Sequence, residues 1–274
     1  MLHRPFDPTA IYGGFATYAK WQTSAAVETG NLCQWHVSNL PGTGAKPPIN
    51  RKLYGQVKPS LADYFKSKCA YCESDFEVVA FGDVEHYRPK CGVTDEPGHR
   101  GYYWLSYNER NLLPSCGRCN RAEGKMSRFP IAGVRVSVPG GDLAGEDPLL
   151  LNPYESADFD PVLPHLEHTC EELDSELRPT GVLKGLTPKG KKSVEVYDLN
   201  RVPLVKARLR AQTAAIKALK LALATPHAFE TEWKACTADD QPYLSGVIAT
   251  CRAWYRHHRA QLDAVTTRHP HPGK

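Results

Sequence analysis

No apolar run in the 274-residue sequence approaches the roughly 20 residues that a membrane-spanning helix needs. The opening segment MLHRPFDPTAIYGGFATYAKW also lacks the uninterrupted apolar region of a secretory signal. A membrane protein is therefore not expected, and a cytoplasmic location is. Internal repeats and extended low-complexity segments are absent too. Charge of one sign barely dominates: 34 Lys and Arg against 30 Asp and Glu leave a formal net charge of +4. That permits nucleic-acid binding without arguing for it, because the footprint that matters is clustered charge. The hydrophobic share of 41% and the charged share of 23% are ordinary for a soluble globular protein. The length suits one large domain or two smaller ones.

Cysteine is not scarce. There are nine, and in a reducing compartment paired CxxC spacing favours metal or redox chemistry over structural disulfides. Cys33, Cys91, Cys170, Cys236 and Cys251 are scattered and read as small buried thiols. Cys69/Cys72 and Cys116/Cys119 form two CxxC pairs with 43 residues between them. Together they offer the four thiolates that tetrahedral Zn²⁺ takes, in a closed site that holds a fold rather than performing chemistry. Unrelated thiols or redox couples are the alternative. The stretch between the pairs exceeds a minimal zinc ribbon, so it must carry structure of its own.

Texture divides the chain into four stretches. Residues 1–57 form an extension rich in Pro, Gly and aromatics, with weak periodicity and a loop at Gly42, Gly44, Pro47 and Pro48. Residues 58–130 hold the cysteine pairs. A short helix capped by Ser60 should lead into Cys69. A hairpin is expected over Glu77–Arg88, turning near Gly82 and Asp83, and a helix over Asn120–Met126. Residues 131–190 are punctuated by Pro and Gly, with GVLKGLTPKG as a turn-strand-turn element. Residues 191–274 are Ala/Leu/Lys/Arg-rich and helical. Leu209, Ile216 and Leu223 recur every seven residues with Leu219 beside them. Further helices are expected over Ala228–Ala235 and Tyr243–Val265. The class is α+β with a mainly helical C-terminal region.

Between the cysteine pairs lie Glu85, His86, Asn111 and Asn120. A carboxylate can ligate a hard divalent ion, and an imidazole titrates near neutrality and can activate water. Adjacent strand residues face opposite ways, so Glu85 and His86 share a site only if the chain bends. An Asn amide can pin a loop or coordinate an ion. Arg121 and Lys125, spaced i and i+4, suit phosphate contacts if helical. Taken singly, each has a plainer reading: a surface pair, a turn-forming Asn, a solvated face.

The order CAYC, VEHYRPK, YYWLSYNERNLLPSCGRCNRAEGK resembles the HNH endonuclease family in its CxxC-stapled ββα-metal form. Most closely it resembles the HNH nucleases of Septu and related retron anti-phage defence systems. Downstream, EDPLLLNPYE and VEVYDLNRVPLVKAR continue the likeness, which covers roughly residues 60 to 210. The resemblance implies a ββα-metal core with structural zinc on Cys69, Cys72, Cys116 and Cys119. It implies that His86 is the general base, Asn111 the residue orienting loop and histidine, and Glu85 and Asn120 the ligands of a catalytic Mg²⁺ or Mn²⁺. Asp83 is the alternative carboxylate. Asn120 in place of the family's final histidine makes this an HNN variant, suited to an oxygen-preferring ion. Arg88, Arg121 and Lys125 are the candidate phosphate contacts. The implied substrate is nucleic acid, with DNA expected. The implied partner is an ATPase of ABC or SMC-like fold, docked on the variable ends of the chain.

A zinc-stapled binding or scaffold module without catalysis is the competing reading. The cysteines and the basic residues Lys206, Arg208, Arg210, Lys217 and Lys220 would suffice for it. Arg252, Arg256, His257, His258 and Arg259 suggest a basic patch on the last helix, although plain solvation serves them equally well.

Overall fold

The computed structural model describes residues 1–39, 45–77, 80–121, 124–173, 176–222 and 226–259. It divides into two compact units, Met1–His165 with Gly185–Asp198, and Leu166–Lys184 with Leu199–Lys274. Helices accompany two small two-stranded sheets, an α+β composition. Among the described residues, no helix is long and apolar enough to cross a membrane.

The first unit begins with α1 (Pro8–Tyr12), where Asp7 Oδ1 caps the Thr9 and Ala10 amides and Pro8 opens the helix. Then comes α2 (Tyr18–Ser38), a 21-residue helix in the extension whose sequence shows only weak periodicity. Its buried residues are Trp21, Ala25 and Leu32, too narrow a stripe to register as periodicity. The Trp21 indole fixes it by donating to the Leu53 carbonyl at 2.8 Å. Leu53 belongs to α3 (Arg51–Gly55), capped by Asn50. Helix α4 (Lys58–Tyr64) leads into Cys69, but it starts three residues earlier than a cap at Ser60 would set it. Ser60 lies in its first turn, and Val57 at the N-cap makes no side-chain cap bond.

Among the described residues, the expected hairpin over Glu77–Arg88 does not form. Strand β1 (Asp83–His86) pairs antiparallel with the distant β2 (Leu112–Ser115), matching Asp83 to Ser115 and His86 to Leu112. Local alternation shows that a strand exists and not which strand it pairs with. Gly82 has a different task from turning: a Cβ there would lie 2.3 Å from the Phe76 ring. Val78 and Val79 lie outside the described residues. After β2 comes the single-turn α5 (Gly117–Asn120), and the unit closes with α6 (Pro188–Val196), capped by Thr187.

An aromatic frame holds these pieces. The Tyr71 and Tyr197 rings stack with centroids 3.9 Å apart, and both are fully buried. Most polar tips in this frame find a backbone carbonyl, while the Tyr71 hydroxyl has no hydrogen-bond partner among the described residues. Tyr197 donates to the Leu151 carbonyl, Tyr87 to Leu150 and Tyr154 to Leu112.

The second unit contains the sheet of β3 (Leu166–Leu173) and β4 (Glu176–Gly185), with α7 (Val202–Ala222), α8 (Pro226–Cys236) and α9 (Leu244–His257). Ala215, Ile216, Leu219, Val247, Cys251 and Trp254 form its core. Leu223, expected on the same face, lies outside the described residues, as does the expected helix beyond residue 259. The helical texture from Ser193 breaks between α6 and α7. Asp198 takes φ +49, and the Asn200 side chain bonds both the amide and the carbonyl of Leu183. Arg208 does not join an exposed basic face. It is 2% exposed and donates to the Gly181 and Leu199 carbonyls at 2.6 and 3.1 Å. Gly181, at φ +75, lets the α7 backbone approach where a Cβ would lie 2.4 Å from the Val205 carbonyl oxygen.

Candidate functional site

Two tight knuckles bring the cysteine pairs together. In the first, the Cys69 amide donates to Ser74 and the Glu73 amide to Cys69, with Glu73 at φ +62. The Ala70 amide donates to the Pro114 carbonyl, which ties this knuckle to β2. In the second, the amides of Cys119 and Asn120 both donate to the Cys116 carbonyl and start α5. The four Sγ atoms lie within 4.8 Å of one another. Zinc–sulfur bonds of about 2.3 Å in a tetrahedron place sulfurs about 3.8 Å apart, and Cys72 Sγ lies 3.8 Å from Cys116 Sγ. The donor set therefore fits a zinc ion. Among the described residues, it is the set of His, Cys, Asp and Glu side chains near enough to hold one.

Beside this cluster a cleft of about 490 Å³ opens over β1. Glu85, His86, Lys90, Asn120, Arg121 and Arg51 are among the residues lining it. Asp83 and Glu85, two apart on the strand, have charges that are already matched. Asp83 accepts from Asn120 Nδ2 at 3.0 Å and from Arg121 at 2.9 and 3.0 Å. Burial alone would raise its pKa, but these hydrogen bonds outweigh burial and hold it below the usual carboxylate value. Glu85 is 4% exposed and accepts from Lys125 Nζ at 2.7 Å. Burial pushes its pKa up despite the lysine charge.

His86 is 2% exposed. Its Nε2 lies 3.0 Å from the Ser106 carbonyl, which can only accept, so Nε2 carries the proton. The Nδ1 lone pair then faces Lys90 Nζ at 3.3 Å. The Tyr54 ring meets the imidazole edge-on with centroids 4.8 Å apart. Burial, and then the Lys90 charge, hold the histidine well below its ordinary pKa. The imidazole is thus neutral at pH 7, as a base must be before it accepts a proton.

Asn111 is buried behind the cleft. Its Oδ1 accepts from the Arg88 amide at 2.7 Å, while its Nδ2 donates to the Arg88 and Leu105 carbonyls. It pins the turn that follows His86 to the segment carrying Ser106. The expected phosphate contacts are dispersed. Arg121 is exposed on the cleft wall. Arg88 is bonded to the buried Glu146 at 2.8 Å, with its guanidinium 5.4 Å from the Phe129 ring centre. Lys125 is wholly buried, donating to Glu85 and to the His86 carbonyl. Among the described residues of the helix expected over Asn120–Met126, only Asn120 is helical, as the last residue of α5. The Lys125 and Met126 amides turn back onto Cys119 and Asn120, with Met126 at φ +48. Lys125 is therefore an internal counter-charge, and the i, i+4 pair with Arg121 does not exist.

Sequence reasoning missed Lys90, Tyr54 and Ser106. Lys90 alone left a signal, as the cation four residues after His86 in VEHYRPK.

Comparison with known proteins adds a second line. The chain is 40% identical over 162 residues to the Septu protein PtuB of Bacillus mycoides (strain KBAB4), covering 56% of this chain and 50% of that protein. It is similar to Septu proteins. The likeness extends to the Septu protein PtuA of the same strain, 30% identical over 151 residues, 53% of this chain and 19% of that protein. It extends also to PtuB of Bacillus thuringiensis, 34% identical over 90 residues, 32% of each chain. The chain spans about half the length, or less, of these curated relatives. No family model and no solved structure matches it.

Proposed function

We propose that this protein is a metal-dependent nuclease of the HNH type and the nuclease component of a Septu anti-phage defence system. The observation that carries the reading is His86: a neutral imidazole whose lone pair faces a cation-lined cleft, with a second face locked by a backbone carbonyl. In this reading β1, β2 and α5 form the ββα core, stapled by zinc on the four cysteines.

The chemistry follows from these groups. A phosphodiester entering the cleft draws Lys90 and Arg121 onto its oxygens. Lys90 then leaves Nδ1 of His86 free to take a proton from water. The water oxygen bonds to phosphorus, the bond from phosphorus to the 3′ oxygen breaks, and the leaving oxygen takes a proton from solvent. Glu85 and Asn120 offer oxygen donors for a hard divalent ion, with Asp83 the alternative carboxylate. Such an ion would neutralise charge on the phosphate and the leaving oxygen. Asn111 orients His86 by fixing the turn after it. DNA is the expected substrate. The likeness to both PtuA and PtuB supports a place within that system, beside an ATPase partner.

One observation favours a different reading. Lys125 occupies Glu85, as it would in a zinc-stapled binding module with no catalysis. Plasmid nicking with added Mg²⁺ or Mn²⁺ separates the two. Cleavage is expected, and His86→Ala should lower it about 10²- to 10⁴-fold with zinc content unchanged. Full cleavage by that variant would overturn the assignment.

A further inference from the structure

A separate site lies in the second unit, on helices α8 and α9. Phe229 and Trp233 are one turn apart on α8, and Tyr255 faces them from α9. The three rings form a triangle: centroids lie 6.2 Å apart for Phe229–Trp233, 6.5 Å for Phe229–Tyr255 and 6.3 Å for Trp233–Tyr255. Together with Arg252 and Arg256, one turn apart on α9, they line a cleft of about 400 Å³. Both arginines are exposed, and among the described residues no acidic side chain lines the cleft and neither arginine has an ion-pair partner.

An aromatic triangle can receive either a cation or a flat ring. Cation–π attraction would favour a quaternary ammonium group, but two guanidinium groups at the rim repel one. The cleft needs a ligand that is flat and apolar at its centre and anionic at its edge. A nucleobase with its phosphates has that form, and it presents a free face only where it is not paired and stacked in a duplex. Aromatic stacking with a flanking cationic track is the general means of gripping single strands. We infer that Phe229, Trp233 and Tyr255, with Arg252 and Arg256, bind single-stranded nucleic acid by stacking a base and contacting the adjoining phosphates.

The inference rests on the nucleic-acid reading above and adds strandedness to it. The alternation of Arg252, Tyr255 and Arg256 is what a mere solubilising face would not require. Glu230 and Lys234, also on α8, show what solvation looks like: an exposed i, i+4 pair that neutralises itself.

The test is fluorescence anisotropy of a labelled oligodeoxythymidylate with the full-length chain carrying His86→Ala and no added divalent ion. Cleavage then plays no part. Trp233→Ala should weaken single-strand binding by roughly 5- to 100-fold, and Trp233→Phe should retain most of it. The double variant Arg252→Gln/Arg256→Gln alters only exposed side chains. It should weaken binding and reduce the slope of log affinity against log salt by about 1.4. A duplex of the same length should respond much less to Trp233→Ala. Unchanged single-strand affinity in the arginine double variant would overturn the inference, as would ATP competing as tightly as the oligonucleotide. Loss of binding in these variants by a protein that never nicks plasmid would sink the nuclease reading and leave this site standing.

Discussion

The cysteine cluster and the His86 cleft meet at α5, which carries Cys119 and Asn120, but they differ in how their charges are balanced. The cluster brings four thiols within 4.8 Å of one another, a donor set that fits a zinc ion. In the cleft, Glu85 has Lys125 and Asp83 has Arg121 before any ligand arrives. One site offers a donor set for a metal ion, and the other holds counter-charges of its own. An ion entering the cleft would have to compete with side chains, whereas zinc would complete the knuckles.

The sharpest break of this comparison is Cys119→Ser. Cys119 is fully buried, and the metal's binding free energy in such a site is folding free energy, about 10 kcal/mol or more in small zinc domains. The variant should lose its zinc and about 5 kcal/mol or more of stability, read by metal analysis and thermal unfolding. A variant that keeps full zinc stoichiometry and its wild-type melting temperature would mean the four cysteines do not act as one ligand set.

The two sites also differed in how far they could be read from sequence. The cysteine pairs announce themselves because each knuckle is local, Cys69 to Cys72 and Cys116 to Cys119, and only one long-range step joins them. The cleft depends on contacts between residues far apart in the chain. Ser106 reaches His86 across 20 residues and Lys125 reaches Glu85 across 40. No periodicity encodes such contacts. The same limit explains the missed pairing of β1 with β2, and the inward turn of Arg208, whose charge looked like surface. The long α2 was missed for another reason: it buries too few side chains to leave a stripe. The C-terminal helices were legible because Ile216 and Leu219 face one continuous core.

Lys125→Met breaks the other half of the comparison. Methionine fills similar space but strands the Glu85 carboxylate in a buried site, an error that costs about 3–5 kcal/mol. Glu85 already has a raised folded-state pKa, so the folded state holds its proton more tightly than the unfolded state does. The stability linked to it is present at low pH and lost as pH rises through the folded pKa. The variant should therefore melt lowest in alkaline buffer and recover towards pH 5. Glu85→Gln added to Lys125→Met should restore most of the loss. Failure of that double variant to recover would show that Lys125 acts through packing and not as a counter-charge.

The mildest variant, Asp83→Asn, bears on which carboxylate would hold a divalent ion. Asp83 is half-buried and its Arg121 partner is exposed, so solvent screens the pair. The melting temperature should fall by only about 1–2 °C. Asp83 has a lowered folded-state pKa, so its contribution is present above the ordinary value of 3.8 and disappears as pH falls through the folded pKa. Wild type and variant should thus converge in acid, measured without added divalent ion. Activity gives the second readout. If Glu85 and Asn120 hold the ion, Asp83→Asn leaves the Mg²⁺ concentration for half-maximal nicking within about threefold. A rise of roughly tenfold or more, a 1.4 kcal/mol loss of ion affinity, would move the ligand to Asp83. Arg121 would then be the residue an incoming ion displaces, and Lys125 would stay on Glu85 throughout.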